Sequence, residues 1–219
     1  YLRFRATHLA HHQDCELTDP FDDPESNFLD DGVWRRLPRV VRWVLDVNNT
    51  LAGRMILGPL VGTLRFFWAE IRTAPSDPEV IRGWAWHVVA TMPVVLIVIW
   101  SPMPVWAYGV AVYLALSLLR IRTFLEHQAH EVSRARSVII EDRGPLALLF
   151  LNNNLHIVHH MHPRLPWYRL PKVYREGHDR FLRVNGGYRF GSYAEVFRRY
   201  LFRRKDPVAH PLWRRHGAG

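Results

Sequence analysis

The sequence predicts an all-α integral membrane protein, with one transmembrane helical hairpin and a histidine-rich helical cap on the cytoplasmic side. Three features of the 219 residues predict this fold class. Residues 83–119 contain no Asp, Glu, Lys or Arg over 37 consecutive positions. Arginines flank this run on both sides. Nine of the 13 histidines fall in three short clusters outside the run, which indicates a polar cap beside the hairpin.

The composition excludes several other classes. With 48% hydrophobic and 22% charged residues, the chain can bury a core and is neither disordered nor fibrous. A single cysteine, Cys15, excludes an intramolecular disulfide framework and any multi-cysteine metal site. We expect one domain over residues 1–219, containing the hairpin at 80–125 and a basic cytoplasmic segment at 164–219.

The uncharged run divides into two arms at the turn Ser101–Pro104. A helix needs roughly 20 residues to cross a hydrocarbon core of about 30 Å, and each arm reaches that length when a few flanking residues are added. Positive charge marks the cytoplasmic side, and the arginines that flank the open ends therefore predict that both ends lie there: Arg72, Arg82, Arg120 and Arg122. The alternative is a buried helical hairpin in a soluble protein.

Two further helical regions are expected around the hairpin. Residues 38–70 are apolar but interrupted by charges, which favours amphipathic helices at the membrane surface, broken near Asn48–Asn49 and at Gly58–Pro59. The second arm is predicted to continue as a helix past the membrane through His127. At a rise of 1.5 Å per residue, His127 then lies about 10 Å beyond the level of Arg120.

Two histidine clusters share the pattern H-x-x-H-H, in THLAHH and in LHIVHH. Positions i, i+3 and i+4 lie on one face of a helix, so each motif is predicted to present three imidazoles in one direction. Neutral imidazole binds iron, zinc or copper, whereas hard cations prefer oxygen. The candidate metal ligands are His8, His11, His12, His127, His156, His159 and His160.

Other polar residues near these clusters are candidates for orienting the ligands. A ligating histidine usually donates its second ring N–H to a carboxylate, a carbonyl or water. His130 shares a helical face with His127 and is a further candidate, as a ligand or as a hydrogen-bonding neighbour. The candidates for orienting partners are Asp14, Glu126, Glu131 and Asn152. No catalytic residue beyond the metal ligands is predicted.

The two H-x-x-H-H motifs, the histidine in RTFLEH between them and the hairpin together resemble the integral-membrane fatty acid desaturases, a histidine-box di-iron superfamily. The block from Arg122 to Pro171, which contains HHMHPRLPWYRLP, is most similar to the bacterial acyl desaturases. The resemblance implies a bacterial inner-membrane protein with its histidine site on the cytoplasmic side. It also implies an earlier histidine box, which nothing before His8 supplies, so we expect an N-terminally incomplete fragment with an incomplete ligand set.

The resemblance further implies an activity and its cofactors. Two iron ions would use O2, with electrons from an external donor, to place a cis double bond in a fatty acyl chain. The alternatives are a lipid or carotenoid hydroxylase or ketolase of the same superfamily, and a non-catalytic membrane metal-binding protein. Acyl chain length, double-bond position, carrier and oligomeric state do not follow from the sequence.

The excess of positive charge belongs to the end of the chain. Residues 164–219 hold 14 basic and 4 acidic residues, whereas the whole chain has a net charge of +9. Contact with anionic lipid headgroups is the favoured interpretation. Docking of an acidic electron donor, such as a ferredoxin or a cytochrome, is a second use for the same charge. Nucleic-acid binding is not expected beside a membrane hairpin.

Overall fold

The computed structural model describes residues 1–13 and 17–213. Through residue 123, the regular elements of the described residues are helices. They are α1 (Leu2–Gln13), α2 (Asp31–Arg36), α3 (Arg39–Asn48), α4 (Leu51–Thr73), α5 (Pro78–Trp100) and α6 (Val105–Thr123).

The second half has shorter elements. They are β1 (Ile139–Ile140), α7 (Pro145–Leu149), α8 (His156–Met161), α9 (Leu170–Glu176), α10 (His178–Val184), β2 (Arg189–Phe190) and α11 (Tyr193–Tyr200), with 3-10 turns at Ser133–Arg136 and Trp167–Arg169. Helix accounts for 63% of the structure and strand for 4%, so the expected all-α class holds except for β1 and β2. These two strands pair in parallel, with Ile139 opposite Arg189.

Helices α5 and α6 form the predicted hairpin and are two candidate membrane-spanning helices. The Asp77 side chain accepts a hydrogen bond from the Glu79 amide at the start of α5. Pro78 fits the first turn because an amide N–H at that position would have no partner within the helix. Most side chains of both helices are exposed; Ile97 and Trp106, for example, are 68% and 73% exposed. An apolar surface of this extent requires a covering such as lipid.

Helix α4 differs from the prediction at one point. The expected break near Asn48–Asn49 is present, because α3 ends there and the Thr50 hydroxyl caps α4. The expected break at Gly58–Pro59 is wrong, and α4 continues through both residues. Both residues are buried, and Gly58 lies against the Arg120 side chain of α6; this packing compensates for the amide donor that proline lacks.

Helix α6 is shorter than predicted. It ends at Thr123, and His127 instead lies in an isolated antiparallel bridge with Ser137. The buried side chains of Phe124 and Leu125 turn the chain into the core here. The expected helix through His127 is therefore wrong, although His127 still lies just beyond the end of α6.

Two apolar clusters hold the cap together. One joins Leu51 of α4 and Ile121 of α6 to α11, and the other surrounds α8, α9 and α10. The basic segment from residue 164 to residue 213 thus contributes to the core through side chains such as Tyr174, Phe181 and Val196. Its arginines remain on the surface.

Candidate metal centre

The seven histidines proposed from the sequence lie together in two groups. The first contains His11, His127, His156 and His160, and the second contains His8, His12 and His159. Within each group the nitrogen atoms that could bind a metal all lie within 4.8 Å of one another. Three distant parts of the chain therefore meet: α1, the segment after α6, and α8.

Each H-x-x-H-H motif is divided between the two groups. In α1, His8 and His12 belong to the group of three, and His11 belongs to the group of four. In α8 the division is the same, with His159 separated from its two partners. Positions i and i+4 of a helix are about 40° apart around its axis, whereas position i+3 lies about 60° to the other side. Each motif was expected to present three imidazoles in one direction; in the structure it contributes two imidazoles to one group and one to the other.

Ring nitrogens point at one another inside the groups. In the group of four, Nε2 of His127 lies 3.1 Å from Nε2 of His11 and 3.1 Å from Nε2 of His156. Nε2 of His156 is also 3.1 Å from Nε2 of His160. In the group of three, Nε2 of His12 lies 2.9 Å from Nε2 of His159. The nitrogens converge as they do around a shared ion.

Acceptors on the outer side of three imidazoles fix where their protons lie. Nδ1 of His11 donates to the Asp23 carboxylate at 2.8 Å, and Nδ1 of His8 donates to Glu25 at 2.7 Å. Nδ1 of His156 donates to the amide oxygen of Asn153 at 3.2 Å. Each Nε2 then carries a lone pair.

These lone pairs test whether the residues fit a metal ion. Nε2 of His11 and Nε2 of His156 both face Nε2 of His127, which offers one proton at most. Nε2 of His156 also faces Nε2 of His160, which can supply a second proton, whereas a single cation satisfies all four nitrogens at once. Nδ1 of His12 is also buried without a hydrogen-bond partner among the described residues. The donor set therefore fits a metal that accepts imidazole nitrogen.

The electrostatic environment keeps most of these imidazoles neutral, which is the form that binds metal. Burial, followed by repulsion from neighbouring histidines, lowers the pKa of His127 and of His156 well below the usual value. The same causes lower the pKa of His160 to about 2, and those of His12 and His159 to about 4.

His11 behaves differently from the other ligand candidates. Its burial lowers the pKa, but the hydrogen bond to Asp23 and the charge of that carboxylate outweigh this, so the pKa is raised overall. A carboxylate that stabilises positive charge on an imidazole also makes its second nitrogen more basic. Asp23 therefore favours metal binding at Nε2 of His11.

Glu126 lies next to the group of four but acts through a neighbour. Its carboxylate lies 2.9 Å from Nε of Arg122 and accepts a hydrogen bond from the Asn153 side chain at 3.3 Å. It is 3.9 Å from Nδ1 of His156, which instead donates to Asn153. Glu126 is thus placed to orient Asn153, and Asn153 is placed to orient the imidazole.

The remaining candidates lie elsewhere. Asp14 lies outside the described residues. His130 belongs to neither group, and its Nδ1 accepts a hydrogen bond from the Val132 amide. Glu131 is exposed. Asn152 has a positive φ of 54° in a turn before α8, so it lies outside the helix that carries His156, and its amide donates to the Trp167 carbonyl.

Sequence reasoning missed the residues that hold the outer nitrogens. Asp23 and Glu25 come from the acidic loop DPFDDPES, which follows α1. Asp23 also accepts hydrogen bonds from the amides of Thr18 and Glu25, and these bonds fix its position. The signal available in the sequence was a run of carboxylates directly after a histidine motif, with no spacing rule to show which of them points inward.

The structure defines a mostly helical protein with two candidate membrane-spanning helices and a buried histidine cluster that could bind metal. This chain belongs to the fatty acid desaturase family, whose sequence model matches residues 1–192. Membership indicates a desaturase-type oxidoreductase that is associated with membranes and takes a lipid or acyl substrate. No curated protein and no solved structure matches the chain.

Proposed function

We propose that the protein is a membrane-bound di-iron fatty acyl desaturase that uses O2 to insert a cis double bond into a lipid acyl chain. The observation that carries this proposal is the division of seven histidines into two adjacent groups, each able to hold one ion. Nε2 of His12 and Nε2 of His159 in one group, and the four imidazoles of the other, supply only neutral nitrogen donors.

The choice of iron rests on family membership, because imidazole ligands alone also suit zinc and copper. Bound iron would supply the activation of O2 and the removal of one hydrogen from each of two adjacent methylenes, with two electrons and two protons from outside giving a double bond and two waters. Burial in this chain favours the neutral form of His12, His127, His156, His159 and His160. Asp23, Glu25 and Asn153 orient His11, His8 and His156.

The site lies at the open end of the hairpin, which supports a substrate drawn from the bilayer. Helix α1 packs against the beginning of α5, where the side chain of Arg3 lies over Gly83. A Cβ at Gly83 would be 2.8 Å from Cδ of Arg3, so the close approach of α1 requires glycine or a shift of Arg3. His127 follows the end of α6. Arginines at these ends favour the cytoplasmic side, and the resemblance to bacterial acyl desaturases makes the bacterial inner membrane the proposed location.

The basic surface from residue 164 to residue 205 would contact anionic lipid headgroups. Its second use would be to dock an electron donor such as a ferredoxin or a cytochrome. Its exposed cations include Arg164, Lys172 and Arg203. Salt distinguishes the two uses: turnover that depends on donor docking should fall steeply between about 0.05 and 0.5 M salt, because charges beyond a Debye length are screened.

Lipid analysis tests the proposed reaction. We expect a host that produces the protein with its electron donor to accumulate acyl chains with a new double bond. His127→Ala should abolish this product, whereas His178→Ala, which removes an exposed histidine outside both groups, should not. Products that are only hydroxylated or oxidised to ketones would identify the hydroxylase or ketolase alternative. Bound metal without any oxidised lipid would support the non-catalytic metal-binding alternative.

Elemental analysis of the purified protein tests the metal. We expect iron in a ratio of two ions per chain, one for each histidine group. Zinc in place of iron, in protein that converts lipid under O2, would contradict the di-iron part of the proposal. A protein that holds no metal would contradict the whole.

A further inference from the structure

Three arginines from two helices meet between α4 and α6, outside the histidine groups. On α4, residues Arg54, Gly58, Gly62 and Arg65 recur at spacings that place them on one face. The Arg120 side chain of α6 lies across the two glycines, close enough that a Cβ at Gly62 would be 2.2 Å from its Nη2. The guanidinium of Arg120 therefore lies between the positions of Arg54 and Arg65 along α4.

Among the described residues, carboxylates act on these arginines only from beyond ion-pair distance: Asp23 attracts Arg65, and Glu126 attracts Arg120. Arg54 is 5% exposed, and its guanidinium donates to the Asn48 carbonyl and to the side chains of Asn27 and Asn49, which are all neutral. Repulsion from Arg120 and Arg65 adds to burial in lowering the pKa of Arg54 to about 10. Within residues 1–13 and 17–213, no carboxylate forms an ion pair with any of the three; Glu126 pairs with Arg122 instead.

Hydrogen-bond donors remain free in this cluster. Nε of Arg120 is buried and has no partner among the described residues. Arg65 uses one nitrogen, Nη1, to donate to the Ser26 carbonyl at 2.7 Å. Arg54 is buried, Arg120 is half-buried and Arg65 is exposed, so an anion can reach the cluster from the side of Arg65 and would relieve the repulsion among the three guanidiniums. Arginine recognises phosphate oxygens with paired N–H donors, so phosphate is the anion that suits this arrangement.

The depth of the cluster agrees with a phosphate ligand. Arg120 lies in the last turn of α6, at the end of a candidate membrane-spanning helix, where lipid phosphates are found. Water-soluble phosphate esters reach the same level from the aqueous side. We propose that Arg54, Arg65 and Arg120 form a binding site for a phosphate ester, in which Arg65 and Arg120 supply hydrogen bonds and Arg54 supplies charge.

Binding to the purified, metal-loaded protein in a neutral detergent tests this site without any turnover, so the result does not depend on the proposed function. The probes are dioctanoyl phosphatidic acid, coenzyme A, decanoate and the neutral dioctanoylglycerol, titrated by calorimetry. We expect saturable binding of at least one of the two phosphate probes. Preference for the phosphatidic acid identifies a lipid headgroup as the source of the phosphate, and preference for coenzyme A identifies a soluble ester.

Two variants connect binding to the cluster. Arg120→Gln removes the central hydrogen-bond donor. It should lower the affinity for the phosphate probe by at least about tenfold, as expected for the loss of a charge-assisted hydrogen bond. Gly62→Ala keeps every charge and favours the helix, but its methyl group displaces the Arg120 guanidinium, so it should weaken binding similarly. The matched control is Arg72→Gln, an exposed position on the same helix, which should change the affinity by less than about twofold.

Four results would overturn the proposal. The first is that neither phosphate probe binds saturably, and the second is that decanoate binds more tightly than both. The third is that dioctanoylglycerol binds as tightly as the phosphate probes. The fourth is that Arg72→Gln and Arg120→Gln lower the affinity for the phosphate probe equally. Gly62→Ala also guards against misfolding as an explanation. A folded Gly62→Ala protein that binds as tightly as the unmodified protein would contradict the role of Arg120.

Discussion

The Asp23 carboxylate accepts a hydrogen bond from Nδ1 of His11 at 2.8 Å, and both side chains are at most 2% exposed. This contact connects an acidic loop to the first histidine motif and directs Nε2 of His11 toward His127. A buried carboxylate that contacts a ligand candidate affects metal affinity without touching the ion itself.

Asp23→Asn should therefore weaken metal binding by about 10- to 100-fold, the range typical for partners of ligating histidines. The amide keeps the size of the side chain but loses its charge. Titration of metal into metal-free protein measures the effect. The neighbouring exposed residue provides the control, because Asp22→Asn makes the same chemical change away from the site. Equal affinities for the two variants would show that Asp23 has no part in the centre.

The two histidine groups should respond differently to the loss of one member. His159→Ala leaves only His8 and His12 in its group, so we expect bound metal to fall from two ions per chain to one. His160→Ala leaves three imidazoles in the other group, so the affinity should fall while both ions remain at saturating metal. Elemental analysis of protein loaded with excess metal measures this. Equal losses for these adjacent residues would argue against two separate ions.

Glu70 should be required for the position of α1. Its carboxylate accepts hydrogen bonds from Arg3 of α1 at 2.8 and 3.1 Å and from Trp84 of α5 at 3.0 Å, and Glu70 is 5% exposed. Glu70→Gln leaves Arg3 with only the more distant Asp77 carboxylate, at 3.9 Å, which should cost at most about 3 kcal/mol of stability.

Because α1 carries three of the seven ligand candidates, Glu70→Gln should also weaken metal binding at both groups. Thermal unfolding and metal titration measure the two effects. Glu79→Gln is the control, since its ion pair with Arg82 is exposed on both sides. A Glu70→Gln protein with unchanged melting temperature and metal affinity would mean that α1 is held by other contacts.

His210 should make stability depend on pH. Its Nδ1 accepts hydrogen bonds from the amides of Leu212 and Trp213, and its Nε2 lies 3.1 Å from the Thr18 hydroxyl, so the folded protein requires the neutral imidazole. Burial, and then the charge of Arg136, lower its pKa below the value of 6.5.

The unfolded chain therefore binds this proton more readily than the folded protein does. Stability should decrease as the pH falls below 6.5, by at most about 1.4 kcal/mol per pH unit, and should recover above it. In His210→Asn, the amide oxygen replaces Nδ1 as an acceptor but does not titrate. The melting temperature of this variant should fall less than that of the unmodified protein between about pH 7.5 and 5.5. Parallel pH profiles for the two proteins would refute this role.

The helical class and the hairpin could be predicted because they depend on local properties. A run without charges between Gly83 and Leu119 determines where apolar helices form, and the turn at Ser101–Pro104 determines where they reverse. The ends of other elements depend on packing that the sequence does not display. Burial of Gly58 and Pro59 allows α4 to continue where a break is expected, and burial of Phe124 and Leu125 ends α6 early.

By itself, the sequence determined which histidines to consider, because spacing on a helix and imidazole chemistry are properties of neighbouring residues. Only the tertiary structure decided how they divide, which loop carboxylates contact His8 and His11, and which arginines come together between α4 and α6. These relationships join residues such as His11 and His127, which are 116 positions apart. Helix periodicity reaches only a few residues, so contacts at that separation come from the packing of the helices.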